Sequence, residues 1–344
     1  MHEPVTRTQR RAVVYGASGH TGHLVAHELH ARGWAVTLAG RHLPNLTRFG
    51  GALGASARVA SVDAPGELDD VIAGSDVVIN CAGPFRTTAP PIIAAATRAG
   101  AAYIDVAAEI ETVLDTLGQW DIAAREAGTL VVPAVGFYGG LGGLVAAEAL
   151  GSWTDAERIE LSYGLNEWIP TAGTLVAGAV SRERRRGAHP IFTDGALSYT
   201  EAAPSTADWS FPPPLGHQLA ASPITMVDAI TIAHQTRVLE IVSYMPAKAL
   251  ADLTSGAIRP AGSSEGAPSA QQFALRAVAF RAGEERAHTV WGGDIYGVTA
   301  PLVAEVASLV VASKMIGTRV ASEFGAPGEL LRSLAPYLHD QQSP

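Results

Sequence analysis

Between Val13 and Arg41 the chain reads strand, glycine turn, helix, strand and then arginine, and few folds accept that order. Val13, Val14 and Tyr15 form a short β-type run, followed at once by Gly16-Ala17-Ser18-Gly19-His20-Thr21-Gly22. A helical pattern runs from Thr21 to about Arg32, with Val25 and Leu29 four residues apart and Gly33 as a C-terminal stop. Trp34 to Ala39 reads as a second strand. Glycines at the first turn of such a βαβ unit let backbone N–H groups close on a phosphate, and the helix N-terminus attracts its charge. The spacing is G-x-x-G-x-x-G rather than G-x-G-x-x-G, and alone it also describes an ordinary turn of an α/β domain. Placed between two strand patterns and opening a helix, it reads as a dinucleotide site.

The end of the second strand discriminates between dinucleotides. NAD sites place an Asp or Glu there to hold the ribose 2′-hydroxyl. Here the text is Gly40-Arg41-His42, with no carboxylate nearby. A guanidinium suits a 2′-phosphate through a bidentate, charge-assisted contact, so NADP(H) is favoured. The other reading of Arg41 is a solvated loop arginine.

With 344 residues, 47% hydrophobic and 17% charged, the chain can build a large core, in one big domain or two. A net charge of −9 argues against nucleic acid as a partner. Cys81 is the only cysteine and lies in an apolar run, which reads as a buried small residue in a reducing compartment. The polar N-terminus has no signal-peptide pattern, and no apolar stretch reaches membrane-spanning length. A soluble cytoplasmic protein is expected.

Strand and helix signals go on alternating: strands at Arg58–Val62, Asp76–Cys81, Tyr103–Val106 and Thr129–Pro133, helices at Glu67–Ala73, Pro91–Ala99 and Thr112–Glu126. Short connections between such elements imply a parallel, doubly wound sheet. After about Gly136 the rhythm changes. Ile159–Leu165, Ile191–Thr200, Arg237–Tyr244, Phe273–Arg281 and His288–Trp291 read as strands of an antiparallel sheet, with a hairpin turn at Ala282–Glu285. Phe211–Leu215 and Pro260–Ser269 read as loops, and Val298–Ser313 as a long apolar helix returning to the first domain. The expected domains are 1–135, 136–297 and a C-terminal helical segment 298–344.

Several of these segments together are similar to the saccharopine dehydrogenase-like family. They are the turn Gly16 to Gly22, the strand end Ala39-Gly40-Arg41, the run Val78-Ile79-Asn80-Cys81-Ala82-Gly83-Pro84-Phe85, Tyr103-Ile104-Asp105-Val106, and Asp294-Ile295-Tyr296-Gly297-Val298-Thr299-Ala300-Pro301-Leu302. That family includes saccharopine reductases, homospermidine-type synthases and trans-acting enoyl reductases. The resemblance covers most of the first 150 residues and, less closely, the last 50.

The resemblance implies an NADP(H)-dependent oxidoreductase with a Rossmann domain and an inserted second α+β domain built on a mostly antiparallel sheet. It implies that Gly16, Ser18, Gly19, His20, Thr21 and Gly22 hold the pyrophosphate, with Arg41 at the adenosine phosphate and Asp63 near the adenine. Ala82, Gly83, Pro84 and Phe85 would line the nicotinamide side. The loop Ala107-Ala108-Glu109 departs from the family's frequent Thr-Gly-Glu. Gly136-Phe137-Tyr138-Gly139-Gly140-Leu141 stands where the enoyl reductase branch has Gly-Phe-Asp-Ser-Val-Pro, so the polar residues of that branch are replaced.

Ligands of an open α/β sheet bind beyond the carboxyl ends of its strands, which places Phe85, Glu109, Phe137 and Tyr138 near the nicotinamide. Tyr138, on a glycine loop, is the first candidate proton donor or substrate contact; its alternative is a tyrosine packed between domains. Glu109 is an acid/base candidate or a cap for the helix after it. Tyr296 could close over the cofactor or simply pack, and Thr299 is expected to cap the last long helix. Asn166, ending the first strand of the second domain, could face the cleft with Phe137. The Thr171–Thr174 segment, with Thr174, opens a helix that could take an anionic group, or Thr171 merely caps it.

His20, His23, His27 and His30 share the spacing of one helix face and read as solvated rather than as metal ligands, so no metal is expected. The run Arg182-Glu183-Arg184-Arg185-Arg186 is a solvated helix end or an anion-recognition patch. The expected function is an NADPH-dependent reductase acting on an imine or a conjugated enoyl group of a small molecule in a biosynthetic pathway, as a homodimer. The rival is a regulatory protein that senses NADP(H) without turnover.

Overall fold

Runs such as Val13-Val14-Tyr15 and Val77-Val78-Ile79 are buried throughout, so helices must cover both faces of the sheet they form. The computed structural model describes residues 9–253, 255–259 and 270–341. The expected loop 260–269 lies outside the described residues. Strands and helices alternate first: β1 (Arg11–Tyr15), α1 (His20–Ala31), β2 (Ala35–Gly40), α2 (Leu43–Leu53), β3 (Ser56–Val59), α3 (Pro65–Ile72), β4 (Val77–Asn80), α4 (Phe85–Ala99), β5 (Ala102–Asp105), α5 (Ile110–Gln119), α6 (Asp121–Glu126) and β6 (Leu130–Val132). There follow α7 (Gly140–Leu150), β7 (Asp155–Leu165), α8 (Ala172–Arg185), β8 (His189–Thr193), β9 (Ala196–Thr200), β10 (Ser205–Phe211), β11 (Gly216–Ile224), α9 (Asp228–Gln235), β12 (Arg237–Pro246), α10 (Ala247–Asp252), β13 (Gln272–Arg281), β14 (Glu284–Gly293), α11 (Thr299–Ala312), β15 (Gly317–Thr318), α12 (Pro327–Ser333) and β16 (Leu338–Gln341).

The first sheet is a doubly wound Rossmann sheet of seven strands, order β15-β6-β5-β4-β1-β2-β3, parallel at each pairing. Its order reverses between β1 and β4, the crevice where such sheets take ligands. The second sheet has nine strands, with β10-β11-β12-β7-β13-β14-β16 as its path. It is mostly antiparallel, but β7 and β12 run parallel, because β12 is reached by a long crossover that carries α8 and α9. The β13–β14 hairpin closes on two residues, Ala282 (φ 51°) and Gly283 (φ 80°), with Arg281 opposite Glu284. Two residues at positive φ match the twist of the flanking strands.

Several sequence-based boundaries move. The third strand is Ser56–Val59, an edge strand with little burial, rather than Arg58–Val62. Helix α2 had no counterpart in the pattern because Gly50 and Gly51 interrupt it. Thr112–Glu126 divides into α5 and α6 at Trp120, and Ile191–Thr200 is the hairpin β8–β9, turned at Asp194 and Gly195, both at positive φ. After Thr299 the chain serves both sheets. Helix α11 packs on α1, where Arg32 pairs with Glu305 at 2.6 Å, and β15 extends the first sheet. Helix α12 then lies against α7, and β16 pairs with β14 of the second sheet.

Candidate active site

The glycine turn is built for a tight approach. Gly16 sits at φ +80°, and a Cβ there would lie 2.8 Å from the Ala82 backbone nitrogen. A Cβ at Gly22 would lie 2.3 Å from the Gly16 carbonyl oxygen, so only glycine lets α1 pack on its own turn. Gly19 is the N-cap of α1 and supplies no side-chain cap, and the first turn carries no acid. Helix N-termini leave several N–H groups without intrahelical partners. This cradle fits a pyrophosphate.

Ser18 is exposed on the turn, while His20 is buried with its ring edge-on to Tyr296, centroids 5.4 Å apart. His23 of the same helix stacks on Phe49 at 3.6 Å. Arg41, just past β2, is exposed, and its charge acts on the Tyr15 hydroxyl together with that of Asp63. Burial nevertheless raises the Tyr15 pKa, and its hydroxyl donates to the Ala60 carbonyl at 3.0 Å. Arg41 and Asp63 therefore share the end of β1–β3.

Farther along the switch point, polar groups tie the strand ends together. Asp105, 1% exposed, accepts from the N–H groups of Ala107 (3.0 Å) and Ala134 (2.8 Å) and from the Tyr103 hydroxyl (2.8 Å). Asn80 donates to the Tyr103 and Thr88 hydroxyls, each at 3.1 Å, and accepts from the Ala82 N–H at 3.0 Å. Burial pushes the Asp105 carboxyl up to about 6, against those hydrogen bonds. Neither residue was singled out from sequence; the available signal was a polar side chain closing an apolar strand.

Glu109 is 2% exposed, and its carboxylate caps α4 and not, as expected, the helix after it. Oε1 accepts from Phe85 N–H at 2.7 Å, and Oε2 from Arg86 N–H at 3.0 Å and from the Thr112 hydroxyl at 2.9 Å. Pro84, the N-cap of α4, has no side chain able to do this. A negative charge there also faces the positive end of the helix dipole.

Between the two sheets lies a cavity of about 360 Å³. Phe85, Ile110, Phe137, Tyr138, Trp168 and Tyr296 form much of its wall, and Thr21, Gly83, Glu109 and Thr174 also reach it. Tyr138 sits in an aromatic cluster, 5.2 Å from the Tyr163 ring and 5.6 Å from Trp168. Its hydroxyl is buried and has no hydrogen-bond partner among the described residues. Burial drives the Tyr138 pKa well above the usual phenol value. The Tyr296 hydroxyl accepts from Trp168 Nε1–H (3.1 Å) and Thr171 N–H (3.3 Å) and meets Thr174 Oγ1 at 2.9 Å. With both lone pairs engaged by N–H donors, its own proton is left for Thr174 or a ligand.

Not every expected residue reaches the cavity. Asn166 turns to the start of β13, donating to the Ala270 carbonyl at 3.0 Å and accepting from Gln272 N–H at 2.8 Å. Thr299 is not the N-cap of α11; Val298 is. Its hydroxyl instead donates to the Ile295 carbonyl and accepts from Phe137 N–H at 3.2 Å, fixing the Phe137–Tyr138 loop. Thr171 is the N-cap of α8, accepting from Thr174 N–H at 3.1 Å. Asp228, fully buried, accepts from Gly139 N–H at 2.7 Å and so holds the other end of that loop; burial pushes it up to about 6.

Helix α8 roofs the cavity without burying any of its own residues. Its C-terminal end is clasped to α5 by Arg184–Asp115 at 2.7 Å and by a two-pronged Arg185–Glu111 pair. Burial would raise the Glu111 pKa, but the Arg185 hydrogen bonds and charge outweigh it and hold the carboxyl below its ordinary range.

Residues 12–132 match the family model described as the saccharopine dehydrogenase NADP binding domain. A trans-acting enoyl reductase of Mycobacterium tuberculosis is 30% identical over 132 residues, 36% of this chain and 32% of that protein. A lipid droplet localized protein of Caenorhabditis elegans is 31% identical over 138 residues, again 36% of this chain and 32% of that protein. The chain thus matches about a third of the length of these curated relatives. Apo saccharopine dehydrogenase (L-Glu forming) from Saccharomyces cerevisiae superposes over 98% of this chain and 100% of that one, with a TM-score of 0.65 at 14% identity, which shows a shared fold. The first domain is therefore of the saccharopine dehydrogenase NADP-binding type, and its cofactor is NADP(H). No helix among the described residues is long and apolar enough to cross a membrane.

Proposed function

We propose that this chain is an NADPH-dependent reductase acting on the C=N bond of an imine, or the conjugated C=C bond of an enoyl compound, held in the interdomain cavity. The observation that carries the reading is Tyr138, a residue of the cavity wall whose buried hydroxyl has no hydrogen-bond partner among the described residues. An unpaired buried donor costs about 1–3 kcal/mol, so it persists where a ligand supplies the acceptor. The cavity opens beyond the carboxyl ends of β4 and β5, beside Gly83 and Phe85.

NADPH, when bound, supplies the hydride. The pyrophosphate cradle is Gly16 to Gly22, with Arg41 at the 2′-phosphate. Tyr138 hydrogen-bonds the acceptor end of the substrate, and Tyr138 or Tyr296 delivers the proton that balances the hydride. Phe85, Ile110, Phe137 and Trp168 exclude water, and Glu109 keeps the Phe85 wall in place through its hold on α4. Relatives named as enoyl reductases favour the C=C arm. A homodimer belongs to the same reading, since Leu219 and Leu239 are exposed on strands of the second sheet.

The test is loss of NADPH absorbance with a panel of cyclic imines, enones and enoyl thioesters, on wild type and Tyr138→Phe. Turnover with at least one class is expected, falling on the order of 10²-fold in the variant. NADPH binding with no oxidation of any panel member would instead make the chain a sensor.

A further inference from the structure

The charges lining the cavity are unequally committed. Glu109 spends its carboxylate on α4 and Thr112. Arg185 is held by both oxygens of Glu111, one of which also takes the Tyr199 hydroxyl. Arg182 lies three residues before Arg185, on the same side of α8, and also lines the cavity. Among the described residues no carboxylate engages it. Arg184 of the same basic run is taken by Asp115. One uncommitted positive charge thus stands in the wall of a mainly apolar cavity.

Its position along α8 adds a length. Thr174, which meets the Tyr296 hydroxyl, and Arg182 are eight residues apart, about 12 Å along the helix axis. Between them the cavity side of α8 is Leu175, Ala177, Gly178 and Ser181, with no charge. A Cβ at Gly178 would stand 3.4 Å from an Arg182 guanidinium nitrogen, so that side chain folds back about one turn along the cavity side of its helix and leaves about 6 Å of axis between Thr174 and the charge. The two tyrosine hydroxyls and the cation are therefore separated by an apolar stretch.

We propose that Arg182 is the specificity residue for a substrate with an apolar body and a terminal anionic group. This rests on the cavity being the substrate site. The anion, a carboxylate or a phosphate ester, pairs with Arg182, and the body lies along Leu175 and Phe85. The reducible bond is then placed at Tyr138 and Tyr296. A guanidinium offers either anion two parallel donors. Because Arg182 is solvent-accessible, screening limits the preference to about tenfold at low salt.

Trp168 lines the same cavity, so its emission reports occupancy. The experiment titrates wild type, Arg182→Gln and Arg182→Lys with octanoate, octyl phosphate, octanol and octylamine, with an NADPH titration of each variant alongside. Wild type should take octanoate or octyl phosphate about tenfold more tightly than octanol and reject octylamine. Arg182→Gln should erase the preference and leave octanol and NADPH affinity unchanged, and Arg182→Lys should keep part of it. The ratio of octanoate to octyl phosphate affinity tells which anion the site fits. Equal affinity for octanoate, octyl phosphate and octanol in wild type, or a preference surviving in Arg182→Gln, overturns the proposal. Failure of NADPH to bind would count against the reductase reading instead, and the anion preference is read independently of it.

Discussion

Replacing Glu109 separates a helix cap from a proton donor. In Glu109→Ala, the N–H groups of Phe85 and Arg86 lose their acceptor in a region where Glu109 is 2% exposed. Loss of a capping acceptor costs about 1 kcal/mol. Two such bonds, plus about 1 kcal/mol for removing a partly buried carboxylate from a helix N-terminus, come to about 3 kcal/mol. Glu109→Gln keeps one acceptor oxygen and should lose about half of that. Thr112→Val removes only the hydroxyl contact and should cost about 1 kcal/mol. Urea unfolding followed by circular dichroism and tryptophan emission gives the three values. Turnover in Glu109→Gln should fall only as far as the Phe85 wall loosens. Full stability in Glu109→Ala, or Glu109→Gln that is fully stable yet inactive, would refute the capping argument and make the carboxyl a proton donor.

Gly22→Ala sets a methyl 2.3 Å from the Gly16 carbonyl oxygen, and relief must move backbone. It should cost about 1–3 kcal/mol and weaken NADPH binding more than tenfold, read by titration on protein shown folded by circular dichroism. Asp228 gives a pH signature. Its carboxyl stands at about 6 in the folded protein against an ordinary 3.8, so the folded state binds that proton more tightly than the unfolded one. The stabilisation is full below about pH 4 and is lost as pH rises through 6, about 3 kcal/mol in all. Wild type should therefore lose about 2.4 kcal/mol more than Asp228→Asn between pH 4 and pH 7 in urea unfolding; parallel curves would contradict the buried carboxyl.

What could be read from sequence was local. The turn Gly16–Gly22 and Arg41 lie within one βαβ unit, so glycine spacing and strand patterns suffice to place them. Contacts across long separations could not be read. Glu109 reaches α4 from 24 residues away, and Asp228 reaches Gly139 from 89. Tyr296 meets Trp168 and Thr174 only because the chain returns from the second sheet into α11. Asn166 reads as a cleft residue from its place at a strand end, yet the start of β13 offers a backbone carbonyl and N–H that its amide satisfies. The arginine run after Ser181 looks uniform in sequence. Folding divides it, because Asp115 and Glu111 stand one helical turn apart on α5 and engage Arg184 and Arg185.

The central claim is NADPH as the cofactor of a working reductase, and tryptophan fluorescence titration with NADPH and NADH on wild type and Arg41→Ala tests it most directly. A charge-assisted contact to the 2′-phosphate is worth about 1.5–3 kcal/mol, or about 10- to 150-fold in affinity. NADPH should bind that much more tightly than NADH in wild type, and Arg41→Ala should bring the two together. Equal affinities in wild type, or no binding of either nucleotide, would contradict the account at its base.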